Sequence, residues 1–231
     1  MDQVKITDEL VQELIEEVNI PFKKNHFIVA GGAPRDLTLG VTPKDIDLFL
    51  HCNTAYEFDK LKPNLELFIG RGTKVEEKKK YYGPRQTHGV WNYNFKGTEL
   101  QIILFNSRAQ SEEEFAKDVM EHFDFGICKI YYDRTGEVQM TDDFLDDQFN
   151  KMLTLVKFGT PAQLRKAISE HLPRLEAKYP TYQFTYKDHK EEDNRQRNEQ
   201  AMNVKKWIVP ERVCNYDYQR MVDDYHRARI Y

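Results

Sequence analysis

The sequence has few of the features that mark secreted, zinc-bound or membrane-embedded proteins. Its three cysteines, Cys52, Cys128 and Cys214, include no Cys-x-x-Cys pair, which argues against a disulfide scaffold or a zinc cage and favours a reducing compartment. The seven histidines show no His-Glu-x-x-His spacing. No apolar run approaches the roughly 20 residues that a membrane span requires, and no apolar segment of a signal peptide follows Met1. We therefore expect a cytoplasmic protein with no membrane partner.

An excess of positive charge is also missing. The 231 residues carry 34 Lys and Arg against 38 Asp and Glu, which gives a formal charge of −4. Proteins that coat DNA normally have a basic excess, so this function class is disfavoured, although a local basic patch is not. With 40% hydrophobic and 13% aromatic residues, the chain can build a core, which excludes wholesale disorder.

Helix and strand patterns alternate through the first 141 residues. Thr7 is placed to cap a first helix, and residues 90–95 and 100–105 flank a turn in the pattern of a hairpin. The other predicted elements are a buried strand over 27–30, a short helix that Pro34 opens and that ends near Gly40, a strand over 45–50, a helix over 111–121 and a strand over 123–131.

The pattern changes further along the chain. Apolar side chains recur at helical spacing over 144–156, and a second helix after Thr160-Pro161 is expected to kink at Pro173. We therefore predict an α+β fold, in which residues 1–141 form a mixed sheet flanked by helices. Residues 142–231 are predicted to form a helical C-terminal region.

Residues 28–50 contain a pattern that is typical of phosphate binding. A strand enters Gly31-Gly32, and a helix follows with Arg35 and Asp36 near its start. Glycines allow a backbone to approach a ligand closely, and free amides at a helix N-terminus favour an anion such as a triphosphate. Arg35 is expected either to contact phosphate or to brace an acidic neighbour.

Two aspartates follow about ten residues later. Asp45 and Asp47 alternate along a strand, so their carboxylates share one face, roughly 6.6–6.8 Å apart along the strand. Two carboxylates at this spacing can bind a divalent cation, and opposite a phosphate-binding turn they indicate metal-assisted phosphoryl or nucleotidyl transfer. Each pattern alone is more often an ordinary turn or an exposed strand edge, and it is their order and separation that favour a site.

These residues resemble a known family. Gly31-Gly32-Ala33-Pro34-Arg35-Asp36, Gly40 and Lys44-Asp45-Ile46-Asp47-Leu48 are similar to the signature of the polymerase-β-like nucleotidyltransferases. The most similar branch contains the bacterial poly(A) polymerases and CCA-adding enzymes (tRNA nucleotidyltransferases), in which Gly-Gly-x-x-Arg-Asp precedes Asp-x-Asp-Leu. A weaker resemblance extends over residues 26–131, and the compact size is similar to that of stand-alone and phage-type members.

The resemblance implies an enzyme that transfers a nucleoside monophosphate from a nucleoside triphosphate to an acceptor hydroxyl. The implied cofactor is Mg²⁺ (or Mn²⁺), held by Asp45 and Asp47, and the implied acceptor is an RNA (tRNA-like) 3′ end. The residues expected around the nucleotide are Gly31, Gly32, Arg35, Asp36, Lys44 and Asp124.

The sequence departs from the family at its third carboxylate. Alignment on Phe105 places Gln101 at that catalytic position, and Glu99 lies two residues earlier on the same strand face. Either Glu99 completes the acidic site, or Gln101 occupies it and the protein binds nucleotide, RNA or a protein partner without turnover. Transfer to a protein hydroxyl is a further alternative.

Residues 71–95 interleave basic and aromatic side chains, a pattern that suits single-stranded nucleic acid. The candidate RNA contacts are Lys74, Lys78, Lys79, Lys80 and Arg85, among Tyr81, Tyr82, Trp91 and Tyr93. The alternative is a solvated hairpin whose aromatic side chains pack inward. The aromatic residues over 179–186 are interpreted as packing residues.

Overall fold

The computed structural model describes residues 5–70, 87–157 and 161–187. In chain order the elements are α1 (Asp8–Asn19), β1 (Phe27–Ala30), α2 (Gly32–Thr38), β2 (Ile46–His51), α3 (Ala55–Phe68), β3 (Thr87–Phe95), β4 (Thr98–Phe105), α4 (Glu112–Met120), β5 (Ile130–Tyr132), β6 (Val138–Met140), α5 (Asp142–Asn150), β7 (Met152–Leu155), α6 (Pro161–Lys166), α7 (Leu172–Lys178) and β8 (Gln183–Tyr186). No helix in these ranges is long and apolar enough to cross a membrane.

Six strands form one mixed sheet in the order β3-β4-β2-β1-β5-β6. β2 and β4 are parallel, and all other neighbours in this sheet are antiparallel. Paired residues form one row across the whole sheet: Asn92, Gln101, Asp47, Ala30, Tyr131 and Gln139. Because directly paired residues point to the same face, this row lies on one side of the sheet.

The two faces of the sheet are covered differently. On one face, Leu48 and Ile102 pack with α1 and α3 in a large buried cluster. On the opposite face, α4 covers one part of the sheet, where Phe105 lies in a second buried cluster. The partly exposed Asp47 and Gln101 lie on that second face, outside this cluster. Asp47 and Gln101 thus lie on a part of this face that α4 does not cover, whereas Ala30, in the same row, belongs to the second cluster.

Most of the elements predicted in the first 141 residues are confirmed. The Thr7 hydroxyl accepts a hydrogen bond from the Leu10 amide at 3.3 Å and caps α1. β3 and β4 form the predicted hairpin, and both turn residues, Lys96 and Gly97, have the positive φ that a type I′ turn requires. α2 begins at Gly32 rather than at Pro34, since the chain already turns at the preceding glycine.

The prediction of one strand over 123–131 was wrong for most of its length. Gly126–Cys128 form a 3₁₀ turn, and only β5 at the end of this stretch is a strand. The Asp147 carboxylate explains the difference, because it accepts a hydrogen bond from the Ile127 amide at 2.7 Å. This bond uses a backbone donor that a continuous strand would have paired across the sheet.

The prediction of helix over 144–156 was correct only for its first half. α5 ends where Lys151 adopts a left-handed conformation with φ 57°. The chain then forms β7, which pairs in parallel with β8 in a separate two-stranded sheet. The described part of the C-terminal region, residues 142–157 and 161–187, is therefore helical with a small sheet attached.

The C-terminal helices pack against residues that precede them in the chain. Phe125 and Ile127 share a buried cluster with Phe144, Leu153 and Leu172. This cluster contains residues from both sides of position 141, so the domain boundary expected there stays a prediction.

A π-helical segment, Ala167–His171, joins α6 to α7 directly before Pro173. Proline lacks the amide that an α-helix needs and crowds the preceding turn, which is consistent with the predicted irregularity.

Candidate functional site

The Gly31-Gly32 turn lies directly beside the two aspartates predicted to bind metal. Gly31 has a φ of 84°, which favours glycine, and a Cβ placed on it would meet Asp47 Oδ2 at 3.3 Å. A Cβ on Gly32 would lie 4.0 Å from Asp45 Oδ1. Antiparallel pairing of β1 with β2 brings the turn and the acids together, because it sets Ala30 opposite Asp47. Neither glycine adds a side chain of its own beside the carboxylates.

The register between β2 and β4 places the third polar side chain. Gln101 is paired directly with Asp47, so the two share a face. Glu99 lies on that face as well, two residues before Gln101, and is exposed. The structure thus brings the four predicted catalytic residues, which include Asp45, to one region. Gln101 is the direct strand neighbour of Asp47, and Glu99 lies one alternation further along β4.

Negative charge at this site exceeds the positive charge that compensates it. Burial and the neighbouring carboxylates of Asp45 and Glu99 raise the pKa of Asp47 to about 7, although Arg35 and Lys44 act in the opposite direction. Lys44 Nζ is 3.7 Å from Asp45 Oδ2, but its side chain is 76% exposed, so water screens its charge. A bound cation would relieve this repulsion.

The donor set fits a hard divalent cation. Asp45, Asp47 and the amide of Gln101 offer oxygen atoms, the ligands that Mg²⁺ prefers. Across the described residues, no group of three or more His, Cys, Asp or Glu side chains is arranged to hold a metal ion. A magnesium ion held by two carboxylates would complete its coordination with water and substrate phosphates, as is usual for this ion.

Arg35 and Asp36 are buried below the turn in a network that reaches the C-terminal region. Arg35 Nε donates to Asp36 Oδ1 at 2.8 Å and to the Tyr179 hydroxyl at 3.0 Å, and Nη1 donates to Cys128 Sγ at 3.1 Å. Asp36 also accepts hydrogen bonds from the Tyr179 hydroxyl, at 2.6 Å, and from Lys178 Nζ. Of the two predicted roles of Arg35, bracing an acidic neighbour is the one that the structure contains. Its contact with phosphate stays a prediction.

Asp124 lies next to a residue that contacts the turn. The ring of Phe123 would be 3.3 Å from a Cβ on Gly31, and Asp124 follows it in the chain. Asp124 Oδ2 is 2.8 Å from Nδ1 of His171, in the π-helical segment. The predicted contact of Asp124 with the sugar of a nucleotide stays a prediction.

The candidate RNA contacts at Lys74, Lys78, Lys79, Lys80 and Arg85 lie outside the described residues. Of the aromatic residues beyond them, Trp91 is buried in the core and Tyr93 packs against it. These two rings agree with the packing interpretation.

Three residues of this region were missed by sequence reasoning: His171, Lys178 and Tyr179. Tyr179 was interpreted as a packing residue, which is incomplete, because its ring is buried while its hydroxyl binds Arg35 and Asp36. No motif connects these positions, since 143 residues separate Tyr179 from Asp36.

The fold is shared with CCA-adding enzymes. The apo form I of one such enzyme has a TM-score of 0.55 and 19% identity, over 94% of this chain and 51% of that chain. The Thermotoga maritima CCA-adding enzyme complexed with tRNA-CCA has a TM-score of 0.52 and 18% identity, over 97% of this chain and 55% of that chain. A tRNA-processing enzyme in apo form I has a TM-score of 0.52 and 15% identity, over 97% of this chain and 58% of that chain.

The chain therefore has the polymerase-β-like nucleotidyltransferase fold, and it spans about half the length of the CCA-adding enzymes that it matches. A family model described as "Gad2: Gabija anti-defense 2 family protein" matches residues 3–151. This match includes the glycine turn, both aspartates and β4. No curated protein matches the chain.

Proposed function

The chain belongs to the Gabija anti-defense 2 family, and on that premise we propose that it is a metal-dependent nucleotidyltransferase whose reaction counters Gabija defence. In this reaction an acceptor hydroxyl attacks the α-phosphorus of a nucleoside triphosphate. The bond between the α-phosphorus and the β,α-bridging oxygen breaks, pyrophosphate leaves, and the hydroxyl proton passes to solvent. The acceptor keeps the nucleoside monophosphate.

The observation that carries this proposal is the pair of aspartates beside the Gly31-Gly32 turn, whose negative charge exceeds the positive charge of the side chains around it. Asp47 Oδ2 and Asp45 Oδ1 lie 3.3 Å and 4.0 Å from the positions that the two glycine Cβ atoms would occupy. A triphosphate could therefore approach the backbone of the turn and both carboxylates together. Without a cation, the carboxylates would repel it.

Each residue has a role in this proposal. Asp45 and Asp47 would hold Mg²⁺ or Mn²⁺, which when bound would stabilise the phosphate charge and lower the pKa of the attacking hydroxyl. Gly31 and Gly32 would let the triphosphate approach the backbone, because neither glycine adds a side chain of its own beside the acids. Lys44 is placed to contact a phosphate from solvent.

We propose an RNA 3′ end as the acceptor. Support comes from the Thermotoga maritima enzyme complexed with tRNA-CCA, which shares the fold, and this is an argument from fold alone. The family description favours a second candidate, a hydroxyl of a Gabija protein, because it names a defence system as the target. Both acceptors present a hydroxyl to the same two aspartates.

Gln101 motivates a rival function, in which the protein binds a nucleotide or RNA without turnover. It is the direct neighbour of Asp47 and carries no charge, whereas Glu99 is the acid that lies further along the strand. If Gln101 limits the reaction, Gln101→Glu should raise the rate of transfer, since it adds a metal-binding acid beside Asp47.

The test uses each of the four α-labelled nucleoside triphosphates with Mg²⁺ or Mn²⁺, and either pooled RNA or purified Gabija proteins as acceptor. We expect label in one acceptor, none with an Asp45→Asn, Asp47→Asn double variant, and unchanged label with Asp146→Asn, an exposed acid of α5. Label in RNA or in protein identifies the acceptor. Nucleotide binding by calorimetry without any transfer would favour the rival function.

A companion measurement connects the chemistry to defence. In cells that carry a Gabija system, the wild-type chain should suppress defence and the double variant should not. Suppression by the double variant at equal protein level would show that the transfer reaction is not what counters Gabija.

A further inference from the structure

The buried network around Asp36 connects two parts of the chain that are far apart in sequence. Lys178 and Tyr179, at the end of α7, are 142 and 143 residues away from Asp36 in α2. Asp36 is fully buried, and Arg35 is 7% exposed. Lys178 thus supplies a positive charge, and Tyr179 a hydroxyl group, to a carboxylate that water cannot reach.

α2 has little local structure to hold its own position. It has seven residues, and Gly31, its N-cap, offers no side chain to bind the free amides. By contrast, Thr7, Ser111 and Thr141 cap their helices with hydroxyl groups. The orientation of α2 therefore depends on its tertiary contacts, of which the charged network is the most directional.

The guanidinium of Arg35 lies directly below the turn. Its Nη2 atom is 3.7 Å from the position of a Cβ on Gly32, and the same Cβ would be 4.0 Å from Asp45 Oδ1. A displacement of Arg35 would therefore shift Gly32 relative to Asp45. Tyr179 restrains that displacement, since its hydroxyl binds both Arg35 Nε and Asp36 Oδ1.

We propose that Tyr179 and Lys178 are positioning residues that hold Arg35 and Asp36, and through them hold the Gly31-Gly32 turn against the two aspartates. Helix α7 then supports the nucleotide site through these two residues. The consequence for binding rests on the proposed function, whereas the consequence for the turn does not.

The first test is Tyr179→Phe, which removes one hydroxyl and keeps the ring. We expect the affinity for a Mg²⁺-bound, non-hydrolysable nucleoside triphosphate to fall about tenfold, as for loss of a hydrogen bond to a charged group. Tyr182→Phe is the matched control, because its hydroxyl is 3.5 Å from Lys151 Nζ at an exposed position. Lys178→Gln should weaken binding as well, and Lys178→Arg should restore it.

The second test measures hydrogen exchange of the amides of residues 31–38 without nucleotide. We expect faster exchange there in Tyr179→Phe and unchanged exchange in Tyr182→Phe. If no variant, wild type included, binds nucleotide, the proposed function fails while the exchange result still decides the positioning role. Unchanged exchange over 31–38 in Tyr179→Phe, with a lower melting temperature, would make Tyr179 a purely structural residue and overturn the proposal.

Discussion

Asp36 and Asp47 both follow the glycine turn in the chain, and their charges are compensated differently. Asp36 is fully buried, but Arg35 and two residues of the C-terminal region donate hydrogen bonds to it. Asp47 is partly exposed, and the burial of its carboxylate together with two other carboxylates raises its pKa to about 7. If burial alone were the criterion, Asp36 would be chosen as the functional acid, although its charge is already compensated within the chain.

The comparison indicates that charge compensation, rather than depth, distinguishes the structural acid Asp36 from Asp47, the acid that we propose binds a ligand. Asp36 obtains its cations from within the chain, so a change there is expected to affect folding. Asp47 has no adjacent cation among the described residues comparable to those of Asp36. Its compensation would come from a bound ion, so a change there is expected to affect binding and catalysis.

The largest expected effect is the loss of catalysis on changing Asp47. Asp47→Asn keeps the shape of the side chain and removes the charge that would hold the metal. We expect transfer of labelled nucleotide to fall by about 10³-fold or more, as for loss of a group that stabilises transition-state charge. Asp36→Asn, assayed as folded protein, should lose less. Equal losses in the two variants would remove the functional difference between the acids.

The next effect is on stability, where a change at Asp36 is expected to cost more than a change at the proposed metal-binding acids. Asp36→Ala leaves the buried guanidinium of Arg35 without its carboxylate, which should cost about 3–5 kcal/mol of the free energy of unfolding. Asp45→Ala, at a partly exposed acid, should change it by no more than about 1 kcal/mol. Urea denaturation of the two variants checks the ranking, and a costlier Asp45→Ala would contradict it.

The sequence predicts those parts of this site whose residues lie close together along the chain. Gly31 and Gly32 directly follow β1, Asp45 directly precedes β2 and Asp47 lies at its start, and only one short helix separates the two strands, so β1–β2 pairing brings the four residues together. The choice between Glu99 and Gln101 could not be made, because both lie on the same face of β4 and only the register with β2 distinguishes them.

The network around Asp36 could not be predicted at all. Tyr179 and Lys178 reach Asp36 only because α7 packs against residues of the first 141, and no local pattern encodes that packing. The strand β7 was missed for a different reason. Met152 and Leu153, two of its four residues, carry apolar side chains at positions that also fit a helix, so periodicity alone does not decide between strand and helix.

A pH titration of stability sharpens the comparison further. The pKa of Asp47 is raised from 3.8 to about 7, so its contribution to stability is fully present below pH 4 and is lost as the pH rises through 7. In metal-free buffer at pH 8, Asp47→Asn should therefore be more stable than the wild type, by at most about 4 kcal/mol. At pH 4 the two should be similar.

Urea denaturation at both pH values measures this difference. Millimolar Mg²⁺ should reduce it at pH 8, since the cation stabilises only the protein that keeps both carboxylates. A difference that is independent of pH and of Mg²⁺ would mean that the charge of Asp47 is already compensated within the chain.

The smallest expected effect concerns the cation next to the acidic site. Lys44 is 3.7 Å from Asp45 and 76% exposed, so Lys44→Ala should change the free energy of unfolding by no more than about 0.5 kcal/mol. Lys178→Gln is the matched comparison and should cost more, because it removes a cation from the fully buried Asp36. If urea denaturation gave equal costs, Lys44 would compensate its aspartate as well as Lys178 does, and the two acids would no longer differ in the way that assigns them different roles.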